Sequence, residues 1–376
     1  MTEQSGHSNG PASGARPEES RTDPVVLRNK LESWLQARPE LGPDARVVDL
    51  TVPESNGMSS ETVLFDVDPG NGEIDHLVAR IAPLEASVPV FPVYDMESQF
   101  RVMAEVAGVV PVPAVRWLEL DPAAIGAPFF VMDRVNGLVP PDVMPYNFGD
   151  SWVFDATPEQ QRQMQDASVA VLAALHGIEN PTERFAFLDP GGEGSALRRH
   201  VASTRRFYEW VVEGQRRSPL IEACFERLEA TWPTDESPTV LSWGDSRIGN
   251  TMYEDFAPVA VLDWEMASLG PCEIDLAWMV FLHRFFEDIA HVMELPGMGH
   301  FMQRADIEST YEQLTGHAPR DMQWHLLYAA LRHGAVMYRV QCRTIAFGEG
   351  EWPEDVDDLI MHRAALEQML AGTYID

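Results

Sequence analysis

The sequence predicts an α+β fold in two lobes, a small antiparallel-sheet lobe with one inserted helix followed by a larger, mainly helical lobe. Three features predict it. Residues 45–83 read as short strands broken by a turn signal, residues from 158 onward repeat a helical periodicity, and one polar stretch near 239–265 interrupts that periodicity. Strand and helix patterns segregated along one chain indicate sheet and helices in separate layers rather than alternating units.

Residues 1–23, rich in Ser, Gly, Pro and Glu, are expected to form a disordered tail. Order is expected to begin near Val25, because Leu27, Leu31, Trp34 and Leu35 share one helical face. RVVDLTV, ETVLFDVD and HLVARIA then read as three strands, the last two joined by Pro69-Gly70-Asn71-Gly72. A helix near 94–107 follows, with Phe100, Met103, Ala104 and Ala107 as the expected apolar stripe. VPVPAVRWLEL resumes extended structure, and APFFVMDRV is a continuous apolar strand that closes a first lobe over residues 24–135. Residues 138–376 make the helical lobe. It opens with an amphipathic helix over 158–176 that ends in Leu175-His176-Gly177, and helical patterns recur near 197–213, 218–230, 272–288, 303–315, 320–346 and 355–371.

Asp and Glu number 59 against 27 Lys and Arg, a formal net charge of −32, and Lys30 is the one lysine. Such a surface repels phosphate backbones and anionic lipids, which argues against nucleic-acid and membrane partners. It favours cationic small molecules, or anions presented with a divalent metal. Cys224, Cys272 and Cys342 are odd in number and widely spaced, so neither a disulfide framework nor a zinc cage is expected. The first residues have no apolar core and the chain has no run of about 18 apolar residues, so a cytoplasmic enzyme or binding protein is expected. His283/His291 and His325/His333 are spaced without an HExxH pattern, and no metal role is assigned to them.

The polar interruption concentrates the chemistry. VLSW reads as a short buried strand, Gly244-Asp245 follows on a turn, and Asn250 comes five residues after Asp245. Thr251–Tyr253 and Val259–Leu262 then read as a hairpin that delivers Asp263 at the end of its second strand. Two carboxylates and an amide on adjacent strand ends are hard oxygen donors suited to Mg²⁺. With Arg247 between them, they supply the parts of phosphoryl transfer, in which positioning and charge neutralisation dominate.

The Asp-x4-Asn spacing from Asp245 to Asn250 equals that of the protein-kinase catalytic loop. The sequence resembles the aminoglycoside phosphotransferase (choline kinase-like) family of the protein-kinase-like superfamily. That family's His-Gly-Asp-x4-Asn loop is matched by Trp243-Gly244-Asp245-Ser246-Arg247-Ile248-Gly249-Asn250, and its metal-binding aspartate strand by Val261-Leu262-Asp263-Trp264-Glu265. Leu269-Gly270-Pro271-Cys272-Glu273-Ile274-Asp275-Leu276-Ala277-Trp278 is similar to its Gly-x-Pro-x-x-Asp-Leu-Ala segment. The resemblance spans residues 25–371 and is densest between 240 and 280.

The resemblance implies a two-lobed protein-kinase-like fold that uses ATP and Mg²⁺. It implies Asp245 as the group that takes or orients the hydroxyl proton and Arg247 as a contact of the γ-phosphate. Asn250 and Asp263 are implied as the Mg²⁺ ligands, and Asp275 as a brace under the loop. The segment from Glu54 to Ser60 resembles the phosphate-covering loop, so Asn56, Gly57, Ser59 and Ser60 are implied as phosphate contacts. Arg80 stands where the family carries its phosphate-binding lysine. The strand PFFVMDRVNG resembles the hinge, near 131–137, with main-chain groups of Asp133 and Val135 on the adenine edge and Met132 close by. Three departures stand out: Arg80 itself, Gln99 where a glutamate partner is common, its amide still able to bond Arg80, and Trp243 for the loop histidine. His176 is read as packing or capping.

The leading expectation is an ATP- and Mg²⁺-dependent O-phosphotransferase acting on a small-molecule hydroxyl, such as that of an aminoglycoside, which would make it an antibiotic-resistance enzyme. ESNGMSSETVLFDVD and WGDSRIGNTMY also resemble kinase-like domains that accompany acyl-CoA dehydrogenases, so a hydroxyacyl substrate is the enzymatic alternative. A nucleotide-binding pseudokinase is the non-enzymatic one. For a cationic acceptor, Glu265, Glu287 and Asp288 are the expected contacts.

Overall fold

The computed structural model describes residues 23–53, 60–83, 88–142 and 145–374, so the expected tail lies outside the described residues except for Asp23. The Asp23 carboxylate caps α1 (Pro24–Gln36) by accepting the N–H groups of Val25 and Val26, and Pro24 starts the helix where no N–H is needed. Its buried face is the predicted one, Leu27, Leu31, Trp34 and Leu35. Trp34 packs edge-on against Phe129 with ring centroids 4.8 Å apart, while its indole N–H reaches the Glu119 carboxylate at 2.8 Å.

The strands β1 (Arg46–Thr51), β2 (Glu61–Asp68) and β3 (Asp75–Ile81) precede α2 (Met96–Val106), and β4 (Val115–Glu119) and β5 (Phe129–Asp133) follow it. They form one antiparallel sheet in the order β1-β2-β3-β5-β4. On β2, Val63, Phe65 and Val67 alternate into the core, the period-2 pattern of a strand packed on one face. The apolar stripe expected on α2 is corrected. The helix buries Met96, Gln99, Val102, Met103 and Val106, whereas Ala104 and Ala107 are exposed and Phe100 is half-buried. The Asp95 cap sets Met96 as the first helical residue, and a polar Gln99 in a core position hides the true register from a hydrophobicity pattern.

The second lobe contains α3 (Pro158–His176), the single turn α4 (Pro181–Arg184), α5 (Ala196–Val211) and α6 (Pro219–Ala230). Next come the strands β6 (Thr239–Ser242), β7 (Thr251–Glu254), β8 (Ala257–Val261) and β9 (Ser268–Pro271). The chain closes with α7 (Glu273–Val292), α8 (Arg304–Thr315), α9 (Met322–Ala346) and α10 (Arg363–Ala371). A capping box of Thr157 and Gln160 starts α3. The helix expected over 355–371 is divided: Val356–Leu359 is a 3₁₀ turn opened by the Asp355 side chain, and α10 starts only at Arg363. α7 is buried on nearly every side and packs along α9, which makes this pair the centre of the helical core. Among the described residues no helix is long and apolar enough to cross a membrane.

Bonds to main-chain carbonyls tie the lobes together: Val261 N–H donates to Pro111 O at 2.8 Å, and the Arg339 guanidinium donates twice to Pro89 O at 2.9 and 2.7 Å. Within the second lobe Leu138 and Tyr253 exchange two main-chain bonds of 2.8 Å.

Candidate active site

The loop after β6 is held by one buried carboxylate. Asp275, in the first turn of α7, accepts the Ser242 hydroxyl (2.9 Å) and Gly244 N–H (2.9 Å) on Oδ1, and Trp243 N–H (2.8 Å) and His176 Nε2 (3.1 Å) on Oδ2. Its carbonyl oxygen accepts the Ser246 hydroxyl at 2.8 Å. Burial works against this charge, but His176 and the loop donors hold the carboxyl below its ordinary range. His176 is thereby more than packing: its other nitrogen meets the Tyr311 hydroxyl at 2.9 Å. Gly244 is required here, since it has φ +92° and a Cβ would sit 2.0 Å from Met266 O. Trp243, in the place of the family histidine, is 1% exposed and donates its indole N–H to Leu262 O at 2.9 Å, which ties the loop to the residue before Asp263.

Asp245 emerges from this brace with three side-chain donors. Oδ2 accepts Asn250 Nδ2 at 2.7 Å and Arg247 Nε at 3.2 Å, and Oδ1 accepts the Trp278 indole N–H at 2.6 Å. Arg247 also pairs with Asp142. Burial opposes its positive charge, yet Asp245 and Asp142 more than compensate, and its pKa is raised. Asn250 and Asp263 are brought side by side because Leu262 N–H donates to Asn250 O at 2.8 Å. Asp263 adopts φ +58°, a left-handed conformation that a non-glycine residue holds at some cost and that often marks a working site.

These residues fit a Mg²⁺ ion. The Asn250 amide nitrogen is committed to Asp245, so the oxygen of that side chain is the atom offered to a cation, and Asp263 supplies a carboxylate from the adjacent strand end. Desolvation in the cleft pushes the Asp263 carboxyl up, with Arg80 pulling it back. Arg80 donates to the Thr62 hydroxyl at 2.9 Å and reaches Asp263 Oδ1 at 3.4 Å, bridging from the sheet to the second lobe. The expected bond between Gln99 and Arg80 is absent among the described residues; Thr62, directly opposite Arg80 on β2, takes that role.

On the nucleotide side, Asn56, Gly57 and Ser59 lie outside the described residues. Ser60 is buried, its hydroxyl without a partner among the described residues. Met132 is buried on β5. Asp133 N–H is committed to Ala114 O at 2.8 Å, so at the hinge Asp133 can offer an adenine edge an acceptor but no donor, and its carboxylate pairs with Arg116 at 2.6 Å. Val135 lies just past the strand, two residues on.

The sequence model of the phosphotransferase enzyme family, APH, matches residues 52–301, which include β2 to α7 with Arg80, Asp245, Arg247, Asn250, Asp263 and Asp275. The chain belongs to this family. Over 251 residues the chain is 26% identical to the probable acyl-CoA dehydrogenase IBR3 of Arabidopsis thaliana, covering 64% of this chain and 29% of that protein. Over 188 residues it is 25% identical to acyl-CoA dehydrogenase family member 11 of Homo sapiens, covering 49% of this chain and 22% of that protein. The chain thus spans under a third of the length of these curated relatives. Among solved structures, a Ralstonia eutropha protein assigned as an aminoglycoside phosphotransferase aligns with a TM-score of 0.64 at 21% identity, covering 92% of this chain and 97% of that one. A choline/ethanolamine kinase family protein from Mesorhizobium loti aligns at 0.54 and 13% identity, covering 92% and 99%. The fold is therefore the two-lobed α+β arrangement of this family, with its small antiparallel sheet and large helical lobe.

Sequence reasoning missed three residues of the candidate cleft. Trp278 carried a signal, since it follows Asp275 by three residues and so shares its helical face. Asp142 and Arg332 carried none, lying 105 and 88 positions from their loop partners Arg247 and Gly244. The acids expected to receive a cation are engaged elsewhere. Glu287 accepts the Asn147 amide and Met298 N–H, each at 2.7 Å, Asp288 pairs with Arg284 at 3.1 Å, and Glu265 also has partners of its own. The cavity beside Arg247, Ile248 and Gly249 is lined instead by Tyr146, Met279, Leu282, His283, Phe286 and Met302.

Proposed function

We propose that this phosphotransferase moves the γ-phosphoryl group of ATP to a hydroxyl of a small molecule. The observation that carries the reading is the meeting of Asp245, Asn250 and Asp263 at one end of the cleft with Arg80 reaching Asp263 from the sheet. The small lobe, residues 24–135, would hold the nucleotide, with Arg80 on its phosphates, Ser60 and the preceding loop over them, and Met132, Asp133 and Val135 around adenine. Asn250 and Asp263 would hold Mg²⁺, which when bound neutralises phosphate charge. The hydroxyl oxygen forms a bond to the γ-phosphorus as the bond to the bridging oxygen of ADP breaks. Asp245 takes the hydroxyl proton, and Arg247 balances charge on the phosphoryl oxygens.

Two acceptor classes follow. An aminoglycoside is supported by the net charge of −32 and by the solved relatives, one of which holds hygromycin B. A hydroxyacyl-type acceptor is supported by the engagement of Glu287 and Asp288 and by the acyl-CoA dehydrogenase names of the curated relatives. An ATP-consumption screen over aminoglycosides, amino alcohols and hydroxyacyl thioesters separates them. Turnover with none of these, beside tight MgATP binding, would replace the enzyme reading with the pseudokinase.

A further inference from the structure

A carboxylate oxygen has two lone pairs in its plane, so Asp245 can accept four donors. Oδ2 is filled by Asn250 and Arg247, and Oδ1 carries one donor, the Trp278 indole N–H at 2.6 Å. One lone pair is left for an incoming hydroxyl, and its direction is set by the indole.

What holds the indole is unusual. Arg332, on α9, is 5% exposed and lies with its guanidinium carbon 4.7 Å from the Trp278 ring centroid. It donates Nη2 to Gly244 O at 3.3 Å, and its buried Nη1 has no partner. Among the described residues no carboxylate lies within ion-pair distance of it, a costly state for a buried charge. Burial lowers its pKa, and the hydroxyl of Tyr328 and the charges of Asp275 and Asp245 act against that. The guanidinium lies over the indole face, stands 5.8 Å from the Tyr328 ring centroid, and bonds the catalytic loop itself. A cation over an indole draws density from the ring and makes its N–H a stronger donor.

We propose that Trp278 and Arg332 act as one stacked positioning unit for Asp245, with the guanidinium fixing and polarising the indole and the indole aiming the single free lone pair at the acceptor hydroxyl. This rests on the phosphotransferase reading of Asp245. A role in stability alone would predict loss of fold; positioning predicts loss of turnover with nucleotide binding kept.

The test uses the full chain with MgATP, water serving as acceptor and ADP release as the readout. Trp278→Phe should lower kcat about 10- to 100-fold, the order of effect of a misplaced catalytic group, with the MgATP dissociation constant within about two-fold of wild type. Arg332→Met should move kcat the same way by less. In ¹⁵N-tryptophan-labelled protein, Trp278→Phe identifies the indole resonance by deleting it, and the unchanged remaining indole signals report a folded variant. That resonance should shift in both Asp245→Asn and Arg332→Met. Wild-type kcat in Trp278→Phe, or a Trp278 resonance indifferent to Asp245→Asn, overturns the inference and leaves the phosphotransferase reading standing. Wild-type protein that releases no ADP with any acceptor overturns that reading, and the inference with it.

Discussion

At the scale of single residues, Asp245 and Asp263 are both carboxylates in one cleft, and their surroundings give them different work. Asp245 is ringed by donors, Asn250, Arg247 and Trp278, and is the proposed acceptor of the hydroxyl proton. Asp263 sits in a left-handed conformation beside Asn250 and faces Arg80. Asp245→Asn is therefore expected to leave MgATP binding nearly intact while turnover falls about 10²–10⁴-fold, and calorimetry beside steady-state kinetics checks the split. Asp263→Ala should instead weaken nucleotide binding in a Mg²⁺-dependent way; a titration of Mg²⁺ against bound nucleotide that matches wild type would remove Asp263 from the metal. Both aspartates were legible in the sequence because the motif that holds them is short and contiguous. Asp142 and Arg332 were not, because the contacts that bring them to the loop are made only by the folded chain.

Among the elements, the loop between β6 and β7 depends most on a neighbour. Four donors from the loop region and α3 converge on the Asp275 side chain at the start of α7. Asp275→Ala leaves these groups buried without an acceptor, and a loss of about 3–5 kcal/mol in unfolding free energy is expected, read from urea melts. Gly244→Ala adds a clash with Met266 O to a strained φ, so it should destabilise by at least about 1–3 kcal/mol in the same assay. Helices were readable from their period, including α3 with its capping box. β9 was not: Ser268–Pro271 is four residues long, contains Gly and Pro, and is a strand only because β6 lies beside it. The register of α2 slipped for a related reason, since Gln99 is buried by the sheet it packs on and not by its own hydrophobicity.

For the whole molecule, the buried histidines of the helical lobe set a direction for pH. Burial holds His283 down to about 3 and His325 and His362 to about 4. Unfolded, each would take a proton near pH 6.5. Between that value and about 4 the unfolded chain therefore binds more protons, and stability falls as pH falls, by up to about 1.4 kcal/mol per pH unit for each histidine. Acidification also relieves the repulsion behind a net charge of −32, but most carboxylates titrate below pH 5, so the histidine effect should win above it. Urea midpoints at pH 7.5 and 5.5 measure the balance; a midpoint that rises on acidification would contradict it. The lobes and their order were legible because sheet and helix patterns occupy separate stretches of sequence. The bonds that lock the lobes together were not, since Val261 N–H and the Arg339 guanidinium donate to main-chain oxygens of Pro111 and Pro89, acceptors that every residue carries.

Arg80 has a practical consequence for anyone seeking this protein by its chemistry. Acyl-phosphate analogues of ATP tag kinases by acylating an amine in the nucleotide pocket, and a guanidinium is not acylated under such conditions. Lys30, the sole side-chain amine of the chain, sits on α1 with its Nζ 3.2 Å from Ile125 O, on an element that contributes nothing to the cleft. Amine-directed profiling should therefore pass the proposed nucleotide site by even in a sample where the protein is abundant and free of competing ATP. A dicarbonyl reagent selective for arginine should label Arg80 instead, and added MgATP should protect it.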